Sequence, residues 1–182
     1  MSIAALFSSP AVPGSALSTL PGSPLYGAEL TLIRTQADDP AAVPLIAGLL
    51  GELTARTGSD AVGDFDQAHR REFASWLGGD LILLDEDDTT VGGGAYRRYD
   101  STTVQLDWLW TRPDRRRLGF ARRIVAELER SAVTAGYERV YAVAGPGQAE
   151  VRRLLATGGY TPVLSTATAV PDYLGFVKSV GS

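Results

Sequence analysis

The chain contains no cysteine, one histidine and a single lysine, Lys178. Without cysteine it has no disulfide framework, no thiolate metal site and no cysteine nucleophile. Long apolar runs are missing as well, because no stretch approaches the roughly 20 residues that a membrane-spanning helix needs. The first residues also lack the basic charge that begins a secretory signal. We therefore expect a cytoplasmic protein with no membrane partner.

The residues that are present are typical of one folded domain. The chain has 182 residues, 45% hydrophobic and 21% charged, and a formal net charge of −4. This length and composition suit a single domain with a substantial core, and the acidic balance argues against a general nucleic-acid binder. Residues 1–28 are rich in Ser, Pro, Gly and Ala, which predicts a flexible N-terminal extension before a domain at 29–182.

Apolar periodicity and turn residues divide that domain into strands and helices. Strands are predicted at residues 29–35, 80–84, 90–99, 102–111, 139–144, 160–166 and 173–179. Helices are predicted from Asp39-Pro40 to about residue 55, and over 64–77, 118–135 and 148–157. This order predicts an α/β fold in which helices cover both faces of a mixed sheet.

The most informative stretch runs from Trp108 to Leu128 and predicts a strand, a tight turn and an amphipathic helix. Arg116, Gly119 and Ala121 form an Arg-x-x-Gly-x-Ala pattern where the helix begins. Backbone N–H groups converge at such a helix start, and the helix dipole favours an anion there. Glycine lets the main chain approach the anion, and arginine adds a charged donor. The turn therefore predicts a phosphate-binding site.

This turn, together with the elements after it, resembles the GNAT superfamily of N-acetyltransferases. That family typically reads Pro-Glu-Tyr-Arg-Gly-x-Gly-x-Gly/Ala, helix, Gly and strand, and closes with Asn-x-x-Ala-x-x-Leu-Tyr-x-x-x-Gly-Phe. The corresponding residues here are Pro113, Asp114, Arg115, Arg116, Gly119, Ala121, Gly136, Tyr141, Gln148, Leu154, Gly159 and Tyr160. The resemblance implies a GNAT-like acyl-CoA N-acyltransferase fold, a mixed and mostly antiparallel sheet flanked by helices.

The resemblance also implies a chemistry and a set of binding residues. Acetyl-CoA would be the cosubstrate, and an amine on a small molecule or a protein would be the acceptor. Many relatives pair through their C-terminal strands, and residues 173–180 could form a homodimer in the same way, but the sequence does not decide the oligomeric state. The backbone N–H of Leu109 would stabilise negative charge on the thioester oxygen, and no metal ion is predicted. The residues expected to bind the cosubstrate are Leu109, Trp110, Thr111, Arg116, Arg117, Leu118, Gly119, Phe120, Ala121, Arg122 and Gln148.

A general base would help the reaction, because an amine with a pKa of about 10.4 is mostly protonated at neutral pH. Asp107 is the candidate: it lies on the predicted strand between apolar neighbours, and burial there would raise its pKa. His69 is the only histidine, but its charged neighbours favour an exposed helix surface. Trp108 and Trp110 share one strand face, and core packing is favoured over substrate stacking.

One departure from the family pattern concerns the general acid. Many relatives have a tyrosine where this chain has Leu155, and leucine cannot protonate a departing thiolate. Tyr141 and Tyr160 are the hydroxyls that could replace it. The sequence thus predicts a GNAT-type acyltransferase, with a non-catalytic acyl-CoA-binding or regulatory module on the same fold as the alternative. Nucleic-acid binding by the arginine-rich helix is a third, less favoured interpretation.

Overall fold

The structure is a computed structural model that describes residues 15–20, 28–57, 70–145, 147–163 and 173–181. Its described strands are β1 Ser15–Leu20, β2 Leu30–Thr35, β3 Asp80–Glu86, β4 Thr89–Arg98, β5 Thr103–Thr111, β6 Arg139–Ala144, β7 Thr161–Val163 and β8 Leu174–Ser179. The helices are α1 Val43–Thr57, α2 Phe120–Thr134 and α3 Ala149–Thr157. Single 3-10 turns lie at Pro40–Ala42, Ser75–Leu77 and Pro113–Arg115.

These strands form one sheet in the order β1-β2-β3-β4-β5-β6-β8-β7. Every neighbouring pair is antiparallel except β5 and β6, which are parallel and are connected through α2. The β3–β4 hairpin is tight because Asp87 and Asp88 both adopt a positive φ, of 48° and 60°, the conformation that suits the twist of a two-residue hairpin. The predicted mixed, mostly antiparallel sheet with flanking helices is confirmed.

Buried apolar side chains form two clusters, one on each face of the sheet. The α2-side cluster combines strand residues with α2 and α3, and Ile124 and Leu128 of α2 are almost fully buried within it. The α1-side cluster contains Leu45 and Ile46 of α1, together with Phe73 and side chains of β3–β5. Within the described ranges, no helix is long and apolar enough to cross a membrane.

The structure differs from the prediction of one helix over residues 64–77. Residues 58–69, and with them His69, lie outside the described part, but the backbone is extended at Ala74, with φ −67° and ψ 139°. The Ser75–Leu77 turn follows and ends at Gly78, whose φ is 85°. Trp76 and Leu77 are 71% and 50% exposed, so these two side chains do not form the buried apolar face that a helix over residues 64–77 would have.

The sheet also begins earlier along the chain than the sequence indicates. β1 lies within the first 28 residues and pairs antiparallel with β2, although its composition of serine, alanine and leucine gives no strong strand signal. At the other end, β7 pairs with β8 as the predicted closing hairpin requires. Residues 164–166 of the predicted strand lie outside the described part.

Candidate active site

The central feature of the site is the point at which the two parallel strands separate. β5 and β6 are paired from Thr103–Arg139 to Leu106–Ala142, and their registered pairing ends there. β5 nevertheless continues to Thr111 along β4, and β6 continues to Ala144 along β8. Among the described strands, the edge of β5 from Leu109 to Thr111 that faces β6 therefore has no registered strand partner.

A β-bulge lies where β5 and β6 separate. Asp107 is opposite Ala95 and Trp110 is opposite Gly93, so Trp108 and Leu109 together face the single residue Gly94. The extra residue is accommodated because Trp108 adopts a φ of 48°, a conformation that bulky side chains rarely take. A bulge of this kind redirects the side chains and peptide groups next to it.

The bulge places both tryptophans of β5 in the α1-side cluster. Trp108 is 5% exposed and Trp110 is 8% exposed. The ring of Trp108 lies 4.1 Å from that of Phe73, centroid to centroid. Trp110 lies against α1 at Gly48, where an added Cβ would be only 2.2 Å from its indole. Core packing of the two tryptophans, the favoured interpretation, is confirmed.

The turn after β5 has the geometry of an anion site. Arg117 and Gly119 both have positive φ, 65° and 84°. The first α-helical backbone bond of α2 runs from the Arg123 N–H to the Gly119 carbonyl, so the preceding N–H groups at the helix start have no intrahelical acceptor. The N-cap residue, Gly119, provides no side-chain hydrogen bond to this end, and the first turn of the helix holds no acidic residue. A Cβ built on Gly119 meets no atom within 4 Å, which leaves room for a ligand.

These features fit the phosphates of a coenzyme A derivative. Alternating left-handed residues turn successive N–H groups toward one concavity, and the positive end of the helix dipole lies beside it. Among the side chains of the turn, Phe120 is buried in the α2-side cluster, whereas Leu118 is 52% exposed. Phe120 can therefore contribute its backbone N–H alone.

The arginines around the turn fall into two groups. Arg116 donates to the Thr111 carbonyl at 3.1 Å and forms an ion pair with Glu52 of α1. Arg112 hydrogen-bonds Asp114 and lowers the pKa of that exposed carboxyl, and Arg115 forms an ion pair with Glu86 at 2.6 Å. These contacts attach the turn to β5, α1 and β3.

The second group consists of Arg117, Arg122 and Arg123. In the described part of the chain, none of their three guanidinium groups has a hydrogen bond or an ion pair to another residue. The sequence motif assigns the charged phosphate donor to Arg116, but in the structure the Arg116 guanidinium has protein partners. The guanidinium of Arg116 braces the turn, while the neighbouring arginines leave positive charge available to an anion.

Gln148, a predicted cosubstrate residue, has a structural contact of its own. Its Oε1 accepts a hydrogen bond from the Gly145 N–H at 2.7 Å, and Arg152 donates to the Gly145 carbonyl at 3.2 Å. The two side chains thus fix the turn between β6 and α3, next to the separated strands. A contact of Gln148 with the cosubstrate stays a prediction.

Asp107 is the first residue of β5 beyond the paired stretch, but its surroundings are polar. Its Oδ2 accepts from Gln105 Nε2 at 3.1 Å and lies 3.5 Å from Arg97 Nε, and its side chain is 35% exposed. Arg97 also forms an ion pair with Glu72. The expected apolar environment of Asp107 is therefore wrong. Asp107 lies opposite Ala95 of the α1-side cluster, but Gln105 and Arg97 contact its carboxylate and make its surroundings polar.

The structure also separates the two candidate replacements for the missing tyrosine. Leu155 is 1% exposed within the α2-side cluster. The Tyr160 hydroxyl donates to Glu129 at 2.8 Å, and burial, followed by the charge of Glu129, raises the pKa of Tyr160 strongly. The Tyr160 hydroxyl thus forms a structural hydrogen bond to the Glu129 carboxylate of α2. Tyr141, by contrast, lies on β6 beside Gln105, with its ring 5.3 Å from that of Tyr99.

The chain is similar to known acetyltransferases both in sequence and in fold. The model of the acetyltransferase (GNAT) family matches residues 50–159, which include β5, the turn, α2 and α3. A search of curated proteins finds no match to the chain.

Many solved structures share the fold. An acetyltransferase from Streptococcus agalactiae 2603 is 15% identical, with a TM-score of 0.68 over 83% of this chain and 98% of its own. A GNAT-family acetyltransferase from Staphylococcus aureus Mu50 is 13% identical, with a TM-score of 0.69 over 82% and 98%. The protein yncA from Salmonella typhimurium, whose structure contains its cofactor acetyl-CoA, is 19% identical, with a TM-score of 0.64 over 82% and 93%.

Proposed function

The chain belongs to the acetyltransferase (GNAT) family, and from that premise we propose that it transfers an acetyl group from acetyl-CoA to an amine. The amine attacks directly, without a covalent enzyme intermediate. Acetyl-CoA supplies the activated thioester, and the protein contributes a phosphate site, backbone donors and a base. The acceptor is an amine of a small molecule or of a protein.

The observation that carries this proposal is that the anion site lies next to the gap between β5 and β6. Residues 112–119, which include the turn, connect the end of β5 at Thr111 to the start of α2 at Phe120. Phosphates held at residues 116–122 would therefore place the attached arm beside Leu109, Trp110 and Thr111. Backbone groups of this stretch that face the gap, other than the Thr111 carbonyl that accepts from Arg116, suit an arm that carries amide groups of its own.

The reacting end of this arrangement lies near Asp107, where the strands begin to separate. In the proposed reaction, Asp107 accepts a proton from the amine, directly or through water, since a 35% exposed carboxylate is accessible to both. The Leu109 N–H stabilises negative charge that develops on the thioester oxygen. Arg97 and Gln105 hold the carboxylate in place through the contacts described above.

A second candidate is a non-catalytic acyl-CoA-binding or regulatory module on the same fold. The specific observation in its favour is that Leu155 occupies the tyrosine position and Tyr160 is bound to Glu129. A thiol has a pKa of about 8.5, so its thiolate can leave without being protonated by a general acid. The missing tyrosine therefore does not outweigh the phosphate site and the gap between β5 and β6, which favour the transferase.

The decisive experiment is calorimetric titration of acetyl-CoA and CoA into the wild type and two matched variants. Gly119→Glu places an acidic side chain at the start of α2. Gly136→Glu makes the same change just beyond its other end, where φ is 89° and an added Cβ also meets no atom within 4 Å. We expect binding to be lost in Gly119→Glu and retained in Gly136→Glu. Equal losses, or no binding by the wild type, would refute the phosphate site.

Once binding is established, a panel of amines separates the two functions. Release of CoA from acetyl-CoA with at least one amine supports the transferase. Tight binding without turnover across small amines, amino acids and peptide amines supports the non-catalytic module.

A further inference from the structure

Trp108 is held in a backbone conformation that its own side chain disfavours. Its φ of 48° lies in the left-handed region, where a Cβ clashes with the following carbonyl oxygen. Such conformations persist only where the surrounding structure enforces them, and they concentrate at functional sites.

Phe73 provides the aromatic contact to Trp108. The two ring centroids are 4.1 Å apart, with an interplanar angle of 33°, and Phe73 is only 1% exposed. Both rings belong to the α1-side cluster. Phe73 belongs to the segment before β3. It therefore contacts the bulge from outside the β4–β5 pair in which the bulge lies.

The backbone of Phe73 is in turn fixed by a close approach of Gly79. A Cβ at Gly79 would lie 2.5 Å from the carbonyl carbon and oxygen of Phe73, so only glycine fits there without displacement. The Gly79 N–H also donates to the Ala74 carbonyl at 3.1 Å. The Phe73 ring is thus presented to Trp108 by a turn with little freedom to move.

The peptide group that follows Trp108 contains the Leu109 N–H, the donor assigned to the thioester oxygen in the proposed function. Any change in the backbone angles of Trp108 rotates that peptide group. We propose that Phe73 is a positioning residue, which holds the β5 bulge in the conformation that directs the Leu109 N–H toward the thioester carbonyl. This inference rests on the proposed function and extends it to a residue outside the family motif.

A purely structural role for Phe73 makes a different prediction. If the ring only fills the core, its loss lowers stability as the loss of any buried apolar group does, without a specific effect at Leu109. The test must therefore observe the Leu109 amide itself and separate its behaviour from general destabilisation.

Selective isotope labelling makes this possible. With ¹³C at the tryptophan carbonyl and ¹⁵N at leucine, only Trp-Leu dipeptides give a carbonyl–amide correlation in the NMR spectrum. The sequence contains two, Trp76-Leu77 and Trp108-Leu109. Leu77 is in the exposed turn after Ala74 and serves as the internal reference. The Leu109 signal is recorded with saturating acetyl-CoA and with saturating CoA, which lacks the carbonyl.

In the wild type, we expect acetyl-CoA to shift the Leu109 signal further than CoA does, while Leu77 shows no such difference. In Phe73→Leu, most of that acetyl-specific difference is lost, although calorimetric affinity for CoA is retained. Phe73→Met, which keeps side-chain volume without a ring, repeats the test if the leucine variant does not fold. Ile82→Val removes a methyl group from the opposite cluster, where Ile82 is fully buried, and should leave the difference intact.

The outcomes distinguish the inference from the function on which it rests. If the wild type binds CoA but Leu109 does not distinguish acetyl-CoA from CoA, or if the Phe73 variants respond as the wild type does, the inference is wrong and the phosphate site stands. If the wild type binds neither compound, the proposed function fails and the inference fails with it.

Discussion

Two glycines of α1 allow a sharp test of how this helix packs against the candidate site. A Cβ added at Gly48 would lie 2.2 Å from Cε2 and 2.4 Å from Cζ2 of Trp110, whereas one added at Gly51 meets nothing within 4 Å. Both substitutions by alanine gain about 0.8–1 kcal/mol of helix propensity. Gly51→Ala should therefore stabilise the protein by about 0.5–1 kcal/mol.

Gly48→Ala gains the same propensity but must displace a buried indole. Overpacking of a core typically costs about 1–3 kcal/mol, and contacts this short favour the upper end of that range. The net expectation is a destabilisation of about 2 kcal/mol, from overpacking less the helix propensity gained.

Thermal and urea unfolding of both variants measure the contrast directly. For a protein of this size, 1 kcal/mol corresponds to a shift in Tm of about 2–4 °C. Gly51→Ala should raise Tm by a few degrees, and Gly48→Ala should lower it by about 4–8 °C. If Gly48→Ala stabilises as much as Gly51→Ala does, α1 does not contact Trp110 as described, and the reasoning about this face of the sheet fails.

Two further predictions concern catalysis and pH. Asp107→Asn should lower kcat by about 10²–10⁴ if the carboxylate is the general base, with unchanged calorimetric affinity for CoA; an unaltered kcat would assign the proton transfer to another group. Burial raises the pKa of Tyr96 to about 12, despite a hydrogen bond with Ser131. Because the folded state then holds this proton more tightly than the unfolded chain, Tyr96 makes stability fall as pH rises from about 10 to 12, by up to ~1.4 kcal/mol per pH unit. Urea unfolding across that window should give a shallower decline for Tyr96→Phe, and a decline as steep as that of the wild type would contradict the assignment.

The parts of the site that were predictable from the sequence depend on local chemistry. Gly119 marks the turn before α2 because a left-handed residue there favours glycine, and the amphipathic spacing that follows it identifies the helix. The β5 strand and the parallel β6 follow in the order that a strand–helix–strand unit requires. The bounds of β6 and the C-terminal end of α3, both marked by glycine, agree with the prediction.

The parts that were not predictable depend on contacts between residues distant in the sequence. No local pattern indicates that Arg116 would form an ion pair with Glu52, or that Arg97 would lie beside Asp107. The break at Ala74 has the same origin. The apolar spacing of residues 64–77 suits a helix, but the approach of Gly79 to the Phe73 backbone requires the chain to turn earlier. Trp108 shows most clearly what sequence alone does not predict, because a tryptophan rarely adopts the positive φ that it has here.

The separation of β5 from β6 has a consequence for what this sheet can bind. Unpaired strand edges normally invite pairing with another polypeptide, and proteins protect them for that reason. Here the unpaired edge is internal: β4 and β8 continue on either side of it, and the pairing from Thr103 to Leu106 closes one end. A foreign strand would need several residues in register and access along the whole edge. A short, thin molecule that presents its own amides needs only the open end, so the same backbone groups are available to a small ligand and shielded from aggregation.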